Sequence, residues 1–156
     1  MNGALYQQAD SVRNDFSGVM DRAVYDRPQL IRRRKDQLVL IDTDMLNTIL
    51  QSSVLHVRIE PGDGGGEIYQ LEEIPDIFTE SQSRGTALQT LAADLLEYAG
   101  TYYSQFALYS HAPNRAGHLP YVMRVLALGT PEKVKEMLLC RAGRTSCTRH
   151  NSILTI

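Results

Sequence analysis

The sequence is poor in cysteine and in long apolar runs, and each scarcity removes a class of protein. Cys140 and Cys147 are the two cysteines among 156 residues, too few for a disulfide framework and without a paired zinc spacing. A reducing cytoplasm is the expected setting. No apolar stretch approaches the roughly 20 residues that a membrane helix needs, and the opening MNGALYQQADSVR lacks the apolar segment of a signal peptide. The expectation is a soluble, unprocessed, cytoplasmic protein with no membrane partner. Internal repeats are lacking. The one glycine-rich tract, PGDGGG at 61–66, has neither the Gly-Lys-Ser/Thr ending of a phosphate loop nor a helix directly behind it. Cys140, Cys147 and His150 make a poor metal site on a polar tail, so neither metal nor cofactor is expected.

What is present suffices for a folded chain. Hydrophobic residues make up 43% of the sequence, enough for one moderate core or two small ones. The net charge of -2 is unevenly spread. Residues 1–41 hold seven Lys/Arg against five Asp, a balance of +2, and the remainder holds nine against thirteen acidic residues, a balance of -4. The basic end suits a polyanion, and the acidic end suits solvation or a protein contact.

Periodicity divides the chain about ten residues further on, after residue 52. Residues 4–8 suit a short strand, and Asp10 or Ser11 suits the cap of a helix running to about Tyr25, with Val12, Phe16, Val19, Ala23 and Val24 on one stripe. Pro28 stops that helix. Two extended runs follow, 29–33 and 37–41, joined by Arg34, Lys35 and Asp36 as a basic hairpin tip. Asp42 or Thr43 can cap a second helix whose apolar stripe is Met45, Leu46, Ile49 and Leu50. A unit of about fifty residues buries little surface, so it is expected to pair with a copy of itself.

The second half opens with VLHVRIE at 54–60, an alternating strand, then the PGDGGG turn and a returning strand at 67–71. Residues 74–78 suit a third strand, pushed to an edge by Pro75. Thr86 and Gln89 fit a capping box for a helix with Leu88, Leu91, Ala92, Leu95, Ala99 and Tyr102 on one face. A polar loop at 110–118 follows. Residues 121–128 fit either strand or helix. Thr130 and Pro131 then open a last helix with Val134, Met137 and Leu138 inward and Gly143 beyond its end. The fold class expected is α+β: residues 1–52 as a strand, helix, hairpin, helix domain, residues 53–143 as a mixed α/β domain, and 144–156 as a polar tail.

Ser11 to Leu50, SVRNDFSGVMDRAVYDRPQLIRRRKDQLVLIDTDMLNTIL, resembles the Phd/YefM antitoxin domain, with its arginine-bearing first helix, a hairpin with arginine near its tip, and a Ser/Thr/Asp-capped helix. GTALQTLAADLLEYAGTYYSQF and APNRAGHLPYVMRVL resemble the second half of a longer group of Phd-like antitoxins from RelE/RelB-type systems. The strand, strand, strand, helix order of residues 53–143 is also similar in topology to the HicB antitoxin fold. The resemblance implies a type II antitoxin that binds operator DNA as a homodimer or higher oligomer, represses its own promoter, and neutralises a cognate toxin of RelE-like kind. The family hairpin usually turns on glycine, where this chain has Lys35 and Asp36.

The best functional candidate is the quartet Arg32, Arg33, Arg34 and Lys35, because adjacent cations at a hairpin tip can follow a phosphate backbone and release its counterions. The plain alternative is a solvated turn. Arg13 matches the family's DNA-reaching helix arginine, and a guanidinium can fork onto a guanine edge or a phosphate; its plain alternative is a surface ion pair with Asp10 or a contact to Ser17. Asn114, Arg115 and His118, with His111 nearby, have the residue types of a metal-independent ribonuclease, or else bond the backbone of a structural loop. The leading reading is a non-enzymatic antitoxin with no catalytic residue. The rivals are that ribonuclease, acting through Arg115 and His118, and a protein-interaction module that never meets nucleic acid.

Overall fold

A computed structural model describes residues 5–139. It is a mixed α+β chain that divides after Gln51 into two compact units, with two three-stranded sheets and seven α-helices among the described residues.

In the first unit the order is β1 (Gln7–Gln8), α1 (Ala9–Asn14), α2 (Phe16–Tyr25), β2 (Gln29–Arg33), β3 (Asp36–Leu40) and α3 (Thr43–Ile49). Strand β1 pairs parallel to β2, with α1 and α2 as the crossover, and β2 pairs antiparallel to β3. The expected opening strand thus shrinks to two residues. The expected single helix is broken at Asp15, whose φ of -128° and ψ of 46° are not helical. Gln8 stands at the start of α1 and makes no side-chain cap, so neither Asp10 nor Ser11 caps it. Val12, Val19 and Ala23 are buried, whereas Phe16, the first residue of α2, is 57% and Val24 53% exposed.

The hairpin closes on Arg34 and Lys35 alone, since Arg33 pairs with Asp36 across the turn. Strand β3 therefore begins one residue earlier than periodicity suggested. Arg34 takes φ 54°, the left-handed conformation that a glycine adopts without steric cost. Gln29 is the buried polar residue of this unit, and it is satisfied: its Nε2 donates to the Arg27 carbonyl at 2.6 Å, and its Oε1 accepts from Gln7 Nε2 at 2.7 Å. Asp42 caps α3 by accepting from the backbone N–H groups of Asp44 and Met45. No residue of α3 is fully buried: of its expected inner stripe, Met45, Leu46 and Leu50 are half-buried and Ile49 is exposed.

In the second unit the order is β4 (Val57–Pro61), β5 (Glu67–Leu71), β6 (Phe78–Ser81), α4 (Arg84–Ser104), α5 (Phe106–Tyr109), α6 (Leu119–Leu128) and α7 (Pro131–Leu139). The strands form an antiparallel meander, β4-β5-β6. The β4–β5 turn is built on glycine, with Gly62 N–H donating to the Gly66 carbonyl and Gly65 at φ 81°. The third strand lies four residues beyond its expected start. Ile74 and Ile77 are instead buried loop residues, so their hydrophobicity reflects anchoring rather than strand alternation. Helix α4 starts two residues before Thr86, capped by Ser83. Its face of Leu88, Leu91, Ala92, Leu95, Ala99 and Tyr102 is fully buried against the sheet, α6 and α7. The open segment at 121–128 is helical, with Pro120 in its first turn and Gly129 ending it at φ 75°. In α7, Val134 and Leu138 are buried and Met137 is half-buried. Cys140, Gly143, Cys147, His150 and the polar tail lie outside the described residues.

Candidate functional site

The basic quartet occupies the end of one hairpin. Arg32 and Arg33 close β2, and Arg34 and Lys35 form the turn. Register places Arg32 opposite Gln37, so these two side chains leave the same face of the two-stranded ribbon. Tyr6 joins them: the Arg32 guanidinium lies 5.1 Å over its ring, and its hydroxyl donates to Gln37 Oε1 at 3.2 Å. A cation held on an aromatic face keeps its charge while losing rotational freedom. Among the described residues, Arg33, Arg34 and Lys35 form no ion pair. The tip therefore presents three cations outside any ion pair, with Asp36 across the ladder from Arg33, and a fourth that is positioned by stacking.

Arg13 stands apart from that group, in the last turn of α1. Its side chain is 78% exposed and lies 3.5 Å from Asp10 one turn earlier, the local pair that its plain reading anticipated. A pair so exposed holds weakly against water and salt, which leaves the guanidinium able to exchange Asp10 for another anion. Tyr6 and Gln37 went unremarked in the sequence. Gln37 becomes legible once the turn is placed on Arg34 and Lys35, because the register then puts it across from Arg32; nothing local marks Tyr6.

A second feature of the first unit is apolar. Phe16, Met20 and Val24 recur every four residues along α2 and are 57%, 41% and 53% exposed, forming an exposed stripe beside the buried Val19 and Ala23. Leu38, Val39 and Ile49 are exposed as well.

In the second unit, Arg115 and His118 are tied into a ring cluster. The Arg115 guanidinium lies 5.6 Å from the Tyr98 ring centre and 5.0 Å from that of Tyr109, and it donates to Asp76 at 3.0 Å. The Tyr102 hydroxyl donates to the Arg115 carbonyl. His118 Nδ1 is 2.7 Å from the Tyr98 hydroxyl, and His111 Nδ1 is 2.9 Å from the Ala107 carbonyl. Burial and then the Arg115 charge lower the His118 pKa, with Asp76 opposing. These bonds join the 110–118 loop to α4 and to the segment before β6. Tyr103 of α4, Phe106 of α5, and Leu119 and Met123 of α6 line an open, largely apolar groove.

Residues 5–140 match the model of the PHD-like family, described as antitoxin of toxin–antitoxin, RelE/RelB, TA system. The structure is similar to a crystal structure from Syntrophomonas wolfei subsp. wolfei, described as the antitoxin part of a proposed toxin/antitoxin system. That likeness has a TM-score of 0.76 at 33% identity and covers 84% of this chain and 94% of the other. No curated protein matches the chain. Among the described residues, no helix is long and apolar enough to cross a membrane.

Proposed function

The chain belongs to the PHD-like family of RelE/RelB-type toxin–antitoxin antitoxins, and from that premise we propose that its first unit binds operator DNA as a dimer while its second unit engages the toxin. The observation that carries the DNA reading is the hairpin tip, where Arg33, Arg34 and Lys35 lack ion pairs among the described residues and Arg32 is held over Tyr6. Such a tip can track phosphates, and Arg13 adds an exposed guanidinium on α1. Autorepression follows if the operator lies before the protein's own gene.

The dimer reading rests on the Phe16, Met20 and Val24 stripe together with a core in which only Val12, Val19 and Ala23 are apolar and buried among the first unit's described residues. A unit with so small a core gains most by covering an apolar stripe with a second copy. The second unit carries its own core and the groove at Tyr103, Phe106, Leu119 and Met123, a surface suited to an apolar protein contact.

The test is binding of the full chain to DNA from upstream of its own gene, compared with unrelated DNA of equal length. Preferential binding is expected, and sedimentation at micromolar concentration should give a dimer. Equal affinity for both DNAs, or a monomer, overturns the corresponding part of the reading.

A further inference from the structure

At the end of the second unit's sheet, the β4–β5 ladder continues one step beyond Val57 and Leu71: Glu72 N–H donates to the His56 carbonyl at 3.0 Å. This sets His56 and Glu72 opposite one another. The chain then bends, and Glu73 turns back across the ladder. Its Oε2 accepts from the His56 backbone N–H at 2.8 Å, and its Oε1 lies 2.5 Å from His56 Nδ1. One nitrogen and two carboxylate oxygens from His56, Glu72 and Glu73 thereby stand within 4.8 Å of one another. The Glu73 side chain is 18% exposed and that of His56 56%, so the group is rooted on one side and open on the other. The nearest cation on the ladder, Arg58, is engaged with Gln70 at 2.6 Å and Glu60 at 3.4 Å, and does not occupy the acidic pair.

We propose that His56, Glu72 and Glu73 form a three-ligand site for a divalent transition ion of the zinc class, with water completing the coordination. Imidazole and carboxylate donors suit zinc, which takes them at about 2.0–2.2 Å in a tetrahedron with ligand atoms roughly 3.3–3.5 Å apart. His56 and Glu73 separate slightly to admit the ion, and Glu72, on an exposed residue, closes in by a rotamer change. Backbone hydrogen bonds already hold two of the three residues in register, so little chain ordering accompanies binding. A bound ion would replace the His56–Glu73 hydrogen bond as the tie between the entrance of β4 and the bend after β5.

The experiment is calorimetric titration of zinc into the tag-free full chain carrying Cys140→Ser and Cys147→Ser, which removes thiol competition. Saturable one-to-one binding is expected, weakened roughly tenfold or more by His56→Ala and by Glu72→Gln. Glu72→Gln leaves the His56–Glu73 pair in place and so keeps the test free of folding defects, which circular dichroism checks for His56→Ala. At one zinc concentration, the melting temperature of the parent should rise more than that of Glu72→Gln. Absence of saturable binding, or equal affinity in the parent and both variants, overturns the proposal.

Discussion

The Tyr98 hydroxyl lies 2.7 Å from Nδ1 of His118, and the two rings stand 5.9 Å apart at a tilt of 60°. A neutral imidazole can accept the phenol proton at Nδ1, whereas a protonated one cannot. Burial and the neighbouring Arg115 charge favour the neutral form and lower the His118 pKa. Above about pH 6.5 the ring is neutral in folded and unfolded chain alike, and this site's contribution to stability is complete. As pH falls below that value the unfolded chain takes up the proton first, and stability drops until the folded-state pKa is passed. The urea midpoint of the second unit should therefore fall on acidification from about pH 7 to 5, and fall less in His118→Gln. Equal acid sensitivity in both proteins would refute the assignment.

DNA affinity should carry the signature of the hairpin tip. With about three phosphate contacts per protomer, a dimer neutralises roughly six phosphates, and log affinity should fall with log salt at a slope near about -5. Arg33→Ala with Arg34→Ala should flatten the slope and weaken binding to most sequences alike. Arg13→Ala should instead cost about 1–3 kcal/mol on the operator, leaving non-specific binding nearly intact, if its guanidinium meets a base edge. An unchanged slope in the double variant would leave the tip as a solvated turn.

Arg34 pits stability against charge. A non-glycine residue in the left-handed region is disfavoured by roughly 1–2 kcal/mol, partly offset by the greater chain entropy glycine has when unfolded. Arg34→Gly should raise the first unit's stability modestly, by up to about 1 kcal/mol, while weakening DNA binding. Denaturant unfolding and a DNA titration on the same variant test the two effects. A destabilised variant would contradict the strain argument.

Leu95 lies fully buried on the inner face of α4. Leu95→Ala should cost about 2–5 kcal/mol of the second unit's stability through lost burial and the cavity left behind, read as a shift of its urea midpoint. A loss below about 1 kcal/mol would mean that α4 is not the element around which this unit packs.

Elements whose residues act through near neighbours were legible. The α4 face is read from spacing alone because one continuous helix keeps its phase over 21 residues. Asp42 is readable as a cap because its partners, Asp44 and Met45, lie two and three residues away. The α1–α2 stripe was legible only in part: Phe16 lies within about 20° of Ala23 around α2, yet it stands at the start of that helix and is exposed, because spacing gives the side a residue faces and not whether anything covers it. The third strand was misplaced because Ile74 and Ile77 carry a strand-like hydrophobicity that serves to anchor a loop.

By itself, the sequence determined the α+β class, the basic hairpin, the capped α3 and the buried face of α4, all set by composition, turn chemistry and short-range periodicity. Only the tertiary structure decided the rest. It brought Tyr6 over Arg32, stacked Arg115 on Tyr98 and Tyr109, set His56 against Glu72 and Glu73, and left Phe16, Met20 and Val24 exposed. Each of these relationships joins residues far apart in the chain or depends on which side of an element finds a partner. Strand register and the direction of packing settle such matters, and neither is encoded in the spacing of residues along one segment.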